Sequence, residues 1–198
     1  MAQETSKATE RRMAQEWPWD DVFVGPILDV GPGDDPLVWQ GQEVVPFDKA
    51  QGDANKIDHY FPPEHFGCVH GSQVMEHLLD PADFIRRCLI ILKPGGWIVM
   101  TVPDLDLYEK LSWPSRFNPD HKTTWSLWRK HWTPIPSNRV KHAHIYVPHW
   151  IQQFNVAERS ATLIDTNYDY LADDAKDQTW LRGDGVECFI EILLQKLP

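Results

Sequence analysis

One stretch in the middle of the chain constrains the fold more than any other. Its two short apolar segments, Gly67–Gly71 and Trp97–Val102, are typical of strands that are buried on both faces. Between them, Asp80-Pro81 is a typical helix start, and apolar residues then recur at helical spacing up to a Lys-Pro-Gly-Gly turn at residues 93–96. Because a helix between two buried strands crosses over one face of a sheet, the stretch predicts an α/β fold with a doubly wound, mostly parallel sheet.

Further predicted elements flank this unit on both sides. They are a helix over about Glu4–Glu16, strands at Ile27–Val30 and Glu43–Phe47, a helix over about His149–Arg159, and strands at about Thr162–Tyr170 and Val186–Gln195. The last two strands are expected to form a C-terminal antiparallel hairpin across an acidic loop. Since 198 residues suffice for one sizeable core and are cramped for two, we predict a single domain, residues 1–198, with about seven strands.

Composition excludes several classes of protein. The first fifteen residues contain no apolar run and no stretch approaches the ~20 apolar residues of a membrane span, so we predict neither a signal peptide nor a membrane partner. The three cysteines, Cys68, Cys88 and Cys188, form no CxxC pair, which favours a cytoplasmic location without a disulfide framework or a zinc site. The net charge of −10 disfavours nucleic acid as a partner over most of the surface.

One segment departs from this acidic average. Between Lys110 and His149, seven Lys or Arg residues stand against a single acid, Asp120, and several tryptophans lie among them. We interpret residues 104–149 as a basic, tryptophan-rich lid over a substrate. The alternative is a solvated surface insertion.

The strand at Ile27–Val30 runs into the turn "GPGDDP", residues 31–36. Dinucleotide sites also begin with a strand followed by glycines, which bring backbone N–H groups to a pyrophosphate. Here Pro36 replaces the third glycine of that pattern, and the carboxylates of Asp34 and Asp35 would face a pyrophosphate with like charge. A ligand with a cationic end fits better, and S-adenosylmethionine (SAM) carries both an ammonium and a sulfonium.

Several motifs follow one another in the order typical of one family. They are the acidic-x-Gly-x-Gly turn from Asp29 to Gly33, "HGSQVMEHLLDP" at residues 70–81, and "LKPGGWIVMTVPD" at residues 92–104. On these motifs the chain resembles the class I SAM-dependent methyltransferases of the small type 11-like kind over most of residues 25–103. The resemblance implies SAM as cofactor and S-adenosylhomocysteine (SAH) as product. It implies these cofactor-binding residues: Asp29, Gly31, Gly33, Asp34, Asp48, Asp58, His59, Ser72 and Gln73.

The resemblance also assigns parts of the cofactor to residues. An acid and the backbone of the glycine turn would hold the methionine end, and Asp48 would accept both ribose hydroxyls. Asp58-His59 would read the adenine amino group, while the residues near Ser72-Gln73 would line the cofactor. Glu76-His77 is interpreted as structural rather than catalytic.

The chain departs from the family in one connection. Only a few residues, about 36–41, separate the glycine turn from the second strand, where the family has a longer helix. One face of the sheet is therefore expected to be thinly covered. Either the N-terminal helix or a homodimer would cover it.

Catalytic groups are expected just after the strand at residues 97–102, because ligands of open α/β sheets bind at the carboxyl ends of the strands. The candidates there are Asp104, Tyr108, Asp120 and His121. We predict that Asp120 orients the His121 imidazole as a general base; the alternative is a turn capped by residues 118–120. The nearby histidines His142, His144 and His149 are not expected to bind a metal, since no carboxylate is fixed beside them.

The basic, aromatic lid predicts a small anionic acceptor, such as a nucleotide-linked or phosphorylated sugar, methylated on oxygen or nitrogen. A nucleic-acid methyltransferase is the alternative, since basic residues interleaved with aromatics also bind single strands. Against it, residues 71–74 read Gly-Ser-Gln-Val and lack the Pro-Pro-aromatic motif of base amino-methyltransferases. A module that binds SAM without turnover is the alternative outside enzymes.

Overall fold

Eight strands and four α-helices make up the part of the chain that the computed structural model describes, residues 3–133, 143–166 and 186–198. The strands are β1 (Ile27–Val30), β2 (Val44–Phe47), β3 (Phe66–Ser72), β4 (Leu92–Pro103), β5 (Thr123–Ser126), β6 (Ala143–Tyr146), β7 (Glu158–Ile164) and β8 (Phe189–Gln195). The helices are α1 (Glu4–Ala14), α2 (Trp19–Val22), α3 (Pro81–Ile91) and α4 (Val147–Trp150), with 3₁₀ turns at Ala54–His59, Met75–His77 and Ile151–Gln153.

Six of the strands form the central sheet, in the order β2-β1-β3-β4-β8-β7. Strands β1 to β4 pair in parallel, and β8 lies antiparallel between β4 and β7. The predicted Rossmann-like sheet with a C-terminal antiparallel hairpin is therefore confirmed. The central sheet has six strands rather than about seven, because β5 and β6 pair in parallel with each other in a separate small sheet.

Helix α3 covers one face of the sheet, as its sequence predicts. The Asp80 carboxylate caps it by accepting the backbone N–H groups of Ala82 and Asp83, each at 3.0 Å. Its buried residues, Phe84, Ile85, Cys88 and Ile91, recur at helical spacing and pack into the main core.

The N-terminal segment covers the opposite face. Trp19 and Phe23, from α2 and its end, pack with Trp39 and with Cys68 and Val99 of the sheet. The indole of Trp39 stacks on the Phe23 ring with centroids 4.4 Å apart. The face that the short connection leaves thin is thus covered within the chain, by residues that follow the predicted N-terminal helix and by Trp39 of the connection itself.

Helix α1 is held to the sheet by a buried ion pair. The Arg12 side chain is fully buried, and its Nε and Nη2 donate to Oε2 of Glu191 in β8 at 2.8 and 2.6 Å. Its Nη1 lies 3.4 Å from Nε2 of His70 in β3. The guanidinium also lies over the Trp19 ring, 5.3 Å from the centroid. Two strands and α2 therefore meet at one arginine.

The region after the lid differs from its prediction. The helix predicted over about His149–Arg159 is wrong in its extent, because α4 ends at Trp150 and is followed only by the 3₁₀ turn. Strand β7 already begins at Glu158, where its exposed and half-buried residues alternate as it pairs with β8. Of the rest of the predicted strand, residues 165 and 166 do not belong to β7, and residues 167–170 lie outside the described residues.

Part of the predicted lid belongs to the core. Trp125 in β5 is fully buried and contacts the Trp150 ring edge-on, with centroids 5.1 Å apart. By contrast, Trp128 is 66% exposed. Residues 134–142 of the segment lie outside the described part of the chain.

No helix among the described residues has the length and the apolar character of a membrane span.

Candidate functional site

The glycine turn adopts a backbone that other residues rarely take. Gly31 and Gly33 have φ of 66° and 55°. A Cβ on Gly31 would lie 2.5 Å from Cγ2 of Val74, so this turn also touches the segment after β3. The Gly33 N–H donates to Oδ2 of Asp48 at 3.1 Å, which links the turn to the end of β2. The turn and Asp48 thus lie together, as the resemblance implies.

The two carboxylates in the turn have different environments. Asp35 accepts from the backbone N–H of Ser6 at 3.0 Å and from the Ser6 hydroxyl, so it fixes the first turn of α1 beside the glycines. Asp34 is exposed. Of the two acids, Asp34 is the one left facing solvent for a cationic ligand.

Asp29 lies apart from the open side of the turn. Its side chain is buried, Oδ2 accepts the Leu37 N–H at 2.7 Å, and Oδ1 lies 2.7 Å from Nδ1 of His70. The structure thus gives Asp29 a role in fixing the connection after β1. A contact with the methionine end stays a prediction.

Ser72 and Gln73 lie at the carboxyl end of β3, next to β4. The Thr101 hydroxyl donates to Oγ of Ser72 at 3.1 Å, and the Gln73 N–H donates to the Thr101 carbonyl at 3.0 Å. Gln73 has φ of 56°, a left-handed conformation in which the chain leaves the strand.

The predicted adenine-reading pair is less available than its position suggests. Asp58 accepts from Nη1 of Arg87 in α3 at 2.7 Å, and this hydrogen bond lowers the pKa of the Asp58 carboxyl. His59 is exposed. Asp58 therefore ties a 3₁₀ turn to α3, and a contact of either residue with adenine remains a prediction.

A buried cluster of two histidines and two glutamates lies just beyond the ends of β3 and β4. We call Glu76, His77, Glu109 and His121 the Glu/His cluster. Nδ1 of His121 lies 2.5 Å from Oε1 of Glu109, and its Nε2 lies 3.9 Å from Oε1 of Glu76. Nε2 of His77 lies 3.9 Å from the same Glu76 oxygen, and the two imidazole rings meet edge-on at 4.8 Å.

Burial shifts the protonation of this cluster. The Glu76 side chain is fully buried, which raises its pKa to about 7, although the nearby His121 opposes that shift. Burial also lowers the pKa of His77 to about 4, and repulsion from His121 adds to the effect. The cluster therefore places poorly solvated ionisable groups at the edge of the sheet where ligands bind.

The predicted catalytic residues are only partly brought together. Tyr108 is buried and its ring stacks on His121 with centroids 6.0 Å apart; burial raises the pKa of its phenol. Oδ1 of Asp104 accepts the backbone N–H groups of Asp106 and Leu107, each at 2.9 Å, and burial raises its pKa to about 6. Asp104 thus starts the turn that carries Tyr108.

The carboxylate that contacts His121 is Glu109, not Asp120. Asp120 is exposed, and its backbone N–H donates to Oδ1 of Asn118 in an Asx turn, which is the predicted alternative. Glu109 lies 12 positions before His121, in a segment without periodicity, so no local signal in the sequence identifies the pair. The Glu76-His77 pair is visible in the sequence, where the resemblance favours a structural role for it.

The lid histidines show no such convergence in the described residues. Nδ1 of His144 lies 3.1 Å from the Thr124 hydroxyl and Nε2 lies 2.6 Å from the Arg129 carbonyl, so both ring nitrogens are engaged. His149 is exposed on α4, and His142 lies outside the described residues.

A cavity of about 690 Å³ lies elsewhere, between the C-terminal part of α1 and strands β7 and β8. Trp17, Trp97 and Arg159 are among its lining residues. The cavity runs along β7 from Glu158 to Ile164, and no member of the Glu/His cluster lines it.

Glu4 at the start of α1 gives a test of how this helix is docked. Burial raises its pKa to about 7, despite the ion pair with Lys7 at 3.1 Å. In the folded protein Glu4 therefore binds a proton once the pH falls to about 7, whereas in the unfolded chain it binds one only when the pH falls to its ordinary pKa of 4.5. We expect Glu4→Gln to exceed the wild type in free energy of unfolding above pH 7, with the gap closing as the pH falls toward 4.5.

Urea unfolding at several pH values measures this gap. The exposed Glu10→Gln serves as the control and should differ from the wild type by a constant amount. A gap for Glu4→Gln that does not change with pH would contradict the burial of this carboxyl.

Comparison with known proteins identifies relatives of the chain. A family model described as "Methyltransferase domain" matches residues 8–157. The "Ubiquinone biosynthesis O-methyltransferase" of Albidiferax ferrireducens is 42% identical over 36 residues, which are 18% of this chain and 14% of that protein. The protein of the same name from Bradyrhizobium sp. (strain ORS 278) is 40% identical over 45 residues, 23% of this chain and 18% of that protein. The chain thus matches under a fifth of the length of these relatives.

Solved structures share the fold over nearly the whole chain. A SAM-dependent methyltransferase from Archaeoglobus fulgidus has a TM-score of 0.59 at 16% identity, covering 98% of this chain and 94% of that one. A SAM-dependent methyltransferase from Mesorhizobium loti has a TM-score of 0.51 at 13% identity, covering 96% of each chain. At these identities the likeness concerns the fold.

Proposed function

The chain belongs to the methyltransferase-domain family, whose cofactor is SAM, and from this premise we propose that it methylates a hydroxyl oxygen of a small anionic acceptor. The observation that carries the proposal is the position of the Glu/His cluster. It follows directly on the segment that touches the glycine turn through Val74. Cofactor turn and cluster therefore both lie at the carboxyl end of the parallel strands, the turn after β1 and the cluster after β3 and β4.

The residues around the glycine turn fit the cofactor. Positive φ at Gly31 and Gly33 keeps side chains out of the turn, and nothing lies within 4 Å of a Cβ built on Gly33. Asp48 uses each carboxylate oxygen for one backbone N–H, from Gly33 and from Lys49, and each oxygen has a further lone pair for a ribose hydroxyl. SAM supplies a methyl group on a sulfonium, so the acceptor oxygen gains the methyl, loses a proton to the protein or solvent, and SAH leaves.

The Glu/His cluster supports a hydroxyl acceptor. A hydroxyl is a weak nucleophile until its proton is removed, and a positioned base contributes roughly 10²–10⁴-fold to such a step. Glu109 holds the His121 ring through Nδ1 and leaves Nε2 on the side of Glu76. Because 31% of the His77 side chain is exposed, an acceptor reaches the cluster from the side of this residue. The partial likeness to two O-methyltransferases supports an oxygen acceptor as well.

Cations beside the cluster support an anionic acceptor. Lys122 follows His121 directly and is exposed, and its Nζ donates to the His77 carbonyl. Arg116 is exposed and lies over the Phe117 ring, which packs on Tyr108. By contrast, Arg129 is paired with Asp106 and contributes less free charge.

A methyl-label transfer screen tests the proposal. The panel contains sugar nucleotides, phosphorylated hydroxy compounds, neutral phenols and short RNA, each incubated with labelled SAM. We expect label on an anionic hydroxyl compound. Label on RNA alone would support a nucleic-acid methyltransferase, and SAH binding without transfer to any acceptor would support a binding module; either result would overturn the proposal.

Asp48→Ala tests the cofactor side. We expect the affinity for SAH to fall roughly 10- to 100-fold, since hydrogen bonds to a charged group contribute about 1.5–3 kcal/mol. Isothermal titration with SAH measures the change. The exposed Asp21→Ala in α2 removes the same charge away from the turn and should bind SAH like the wild type. Equal affinity for the Asp48 variant and the wild type would refute the ribose contact.

A further inference from the structure

We infer that Glu76, His77 and His121 form a binding site for a divalent first-row transition-metal ion, with Glu109 orienting His121. Among the residues that the structure describes, one ligand atom from each of these three lies within 4.8 Å of the other two. The site uses none of the lid histidines, for which the sequence predicted no metal. Metal binding stands without the proposed function, whereas a role for the metal in turnover rests on it.

The environment of the Glu76 carboxylate supports a bound cation. It is fully buried, and neither of its oxygens has a hydrogen-bond partner on another residue in the described part of the chain. An unpaired buried carboxylate is costly, and native structures retain one where an ion or another ligand completes it. The atoms nearest to Oε1 on the imidazoles are the two Nε2 atoms, each at 3.9 Å. A cation between these three atoms would satisfy the carboxylate.

The contact between Glu109 and His121 also supports a metal site. Metal-binding histidines commonly give their other ring N–H to a carboxylate, which fixes the tautomer and the ring orientation. With Nδ1 of His121 at 2.5 Å from Oε1 of Glu109, the lone pair of Nε2 is directed away from Glu109 and toward Glu76. Glu109 is itself fully buried, so this orientation is shielded from water.

The backbone around the site holds the three ligands in place. The Lys122 N–H donates to the Glu76 carbonyl at 2.7 Å, and Lys122 Nζ donates to the His77 carbonyl. These bonds join the 3₁₀ turn that carries Glu76 and His77 to the start of β5, next to His121. Ligands from two distant segments are therefore positioned before any ion arrives.

The ligand set selects the kind of metal. Two imidazoles and one carboxylate suit Zn²⁺, Fe²⁺ or Co²⁺ better than Mg²⁺ or Ca²⁺, which prefer oxygen ligands. Tetrahedral ligands about 2.1 Å from a metal are about 3.4 Å apart, so the two 3.9 Å separations must shorten by about half an ångström, and that between the two imidazole nitrogens, which lie within 4.8 Å of each other, by up to about 1.4 Å. A fourth position would be open beside His77, whose side chain is 31% exposed. An acceptor hydroxyl bound there would lose its proton more readily, as metal-bound water does.

Titration of the chelator-treated, tag-free protein with Co²⁺ and Zn²⁺ tests the site. We expect a single Co²⁺ per chain, visible as a d–d absorption band, and displacement of that band by Zn²⁺. Glu76→Ala and His121→Ala should lose the band, and Glu109→Gln should weaken binding roughly 10- to 100-fold. His149→Ala removes an exposed imidazole on α4 and should bind like the wild type.

Thermal unfolding without metal separates a lost site from a lost fold. Because Glu76→Ala removes an unpaired buried carboxylate, its melting temperature without metal should equal or exceed that of the wild type. Absence of a stoichiometric Co²⁺ band in the wild type, or an undiminished band in Glu76→Ala, would overturn the inference. SAH titration and the acceptor screen run separately, so a chain that binds metal but methylates nothing would refute the proposed function alone.

Discussion

His121→Ala is expected to lower kcat for methyl transfer by roughly 10²–10⁴-fold while leaving the affinity for SAH unchanged. The imidazole contacts Glu109 and faces Glu76, where we propose that the acceptor binds, whereas the glycine turn and Asp48 lie at the ends of β1 and β2. The loss follows whether His121 takes up the acceptor proton or holds a metal that lowers the pKa of the acceptor hydroxyl. Steady-state transfer of labelled methyl measures kcat, and SAH titration measures the affinity.

Two variants show whether this effect is specific. His149→Ala removes an exposed histidine of α4 and should keep full turnover. Glu109→Gln keeps the size of the side chain but removes its charge, so its turnover should fall between those of the wild type and His121→Ala. If His121→Ala retained turnover, or lost SAH binding to the same extent, the Glu/His cluster would not be the acceptor site.

Arg12→Leu is expected to reduce the free energy of unfolding by about 3–5 kcal/mol. The substitution leaves the Glu191 carboxylate buried with Arg11 as its remaining partner, and it removes the guanidinium from beside His70. It also removes the contact with the Trp19 ring. Urea unfolding followed by tryptophan fluorescence measures the change.

A matched arginine elsewhere provides the control. Arg86 is exposed on α3, and its Nη2 donates to Gln153 at 2.8 Å, so Arg86→Leu should cost about 1 kcal/mol or less. The double variant Arg12→Leu/Glu191→Leu should regain part of the loss, because it also removes the buried carboxylate that has lost one of its two arginine partners. A cost below about 1 kcal/mol for Arg12→Leu would show that the ion pair does not hold α1 to the sheet.

The elements that the sequence predicted well are those with local causes. Strand β1 is recognisable from its short apolar sequence, and all four of its residues are buried. The turn after it is recognisable from Gly31 and Gly33, which have positive φ. Helix α3 is recognisable from the Asp80 cap and its apolar spacing. The helix predicted after His149 failed because pairing with β8 draws residues 158–164 into a strand, and β8 lies 25 residues or more further along the chain.

Local signals in the sequence are enough to predict the sheet, its crossover helix and the glycine turn that suits SAM, since hydrophobic periodicity and backbone conformation are properties of short segments. Three other contacts follow from the packing of the whole chain: Glu109 rather than Asp120 contacts His121, Glu76 faces the same imidazole, and Arg12 meets Glu191 across 179 positions. Such contacts depend on where distant segments pack, and the free energy that selects them comes from shared burial. For that reason no spacing within one segment predicts them.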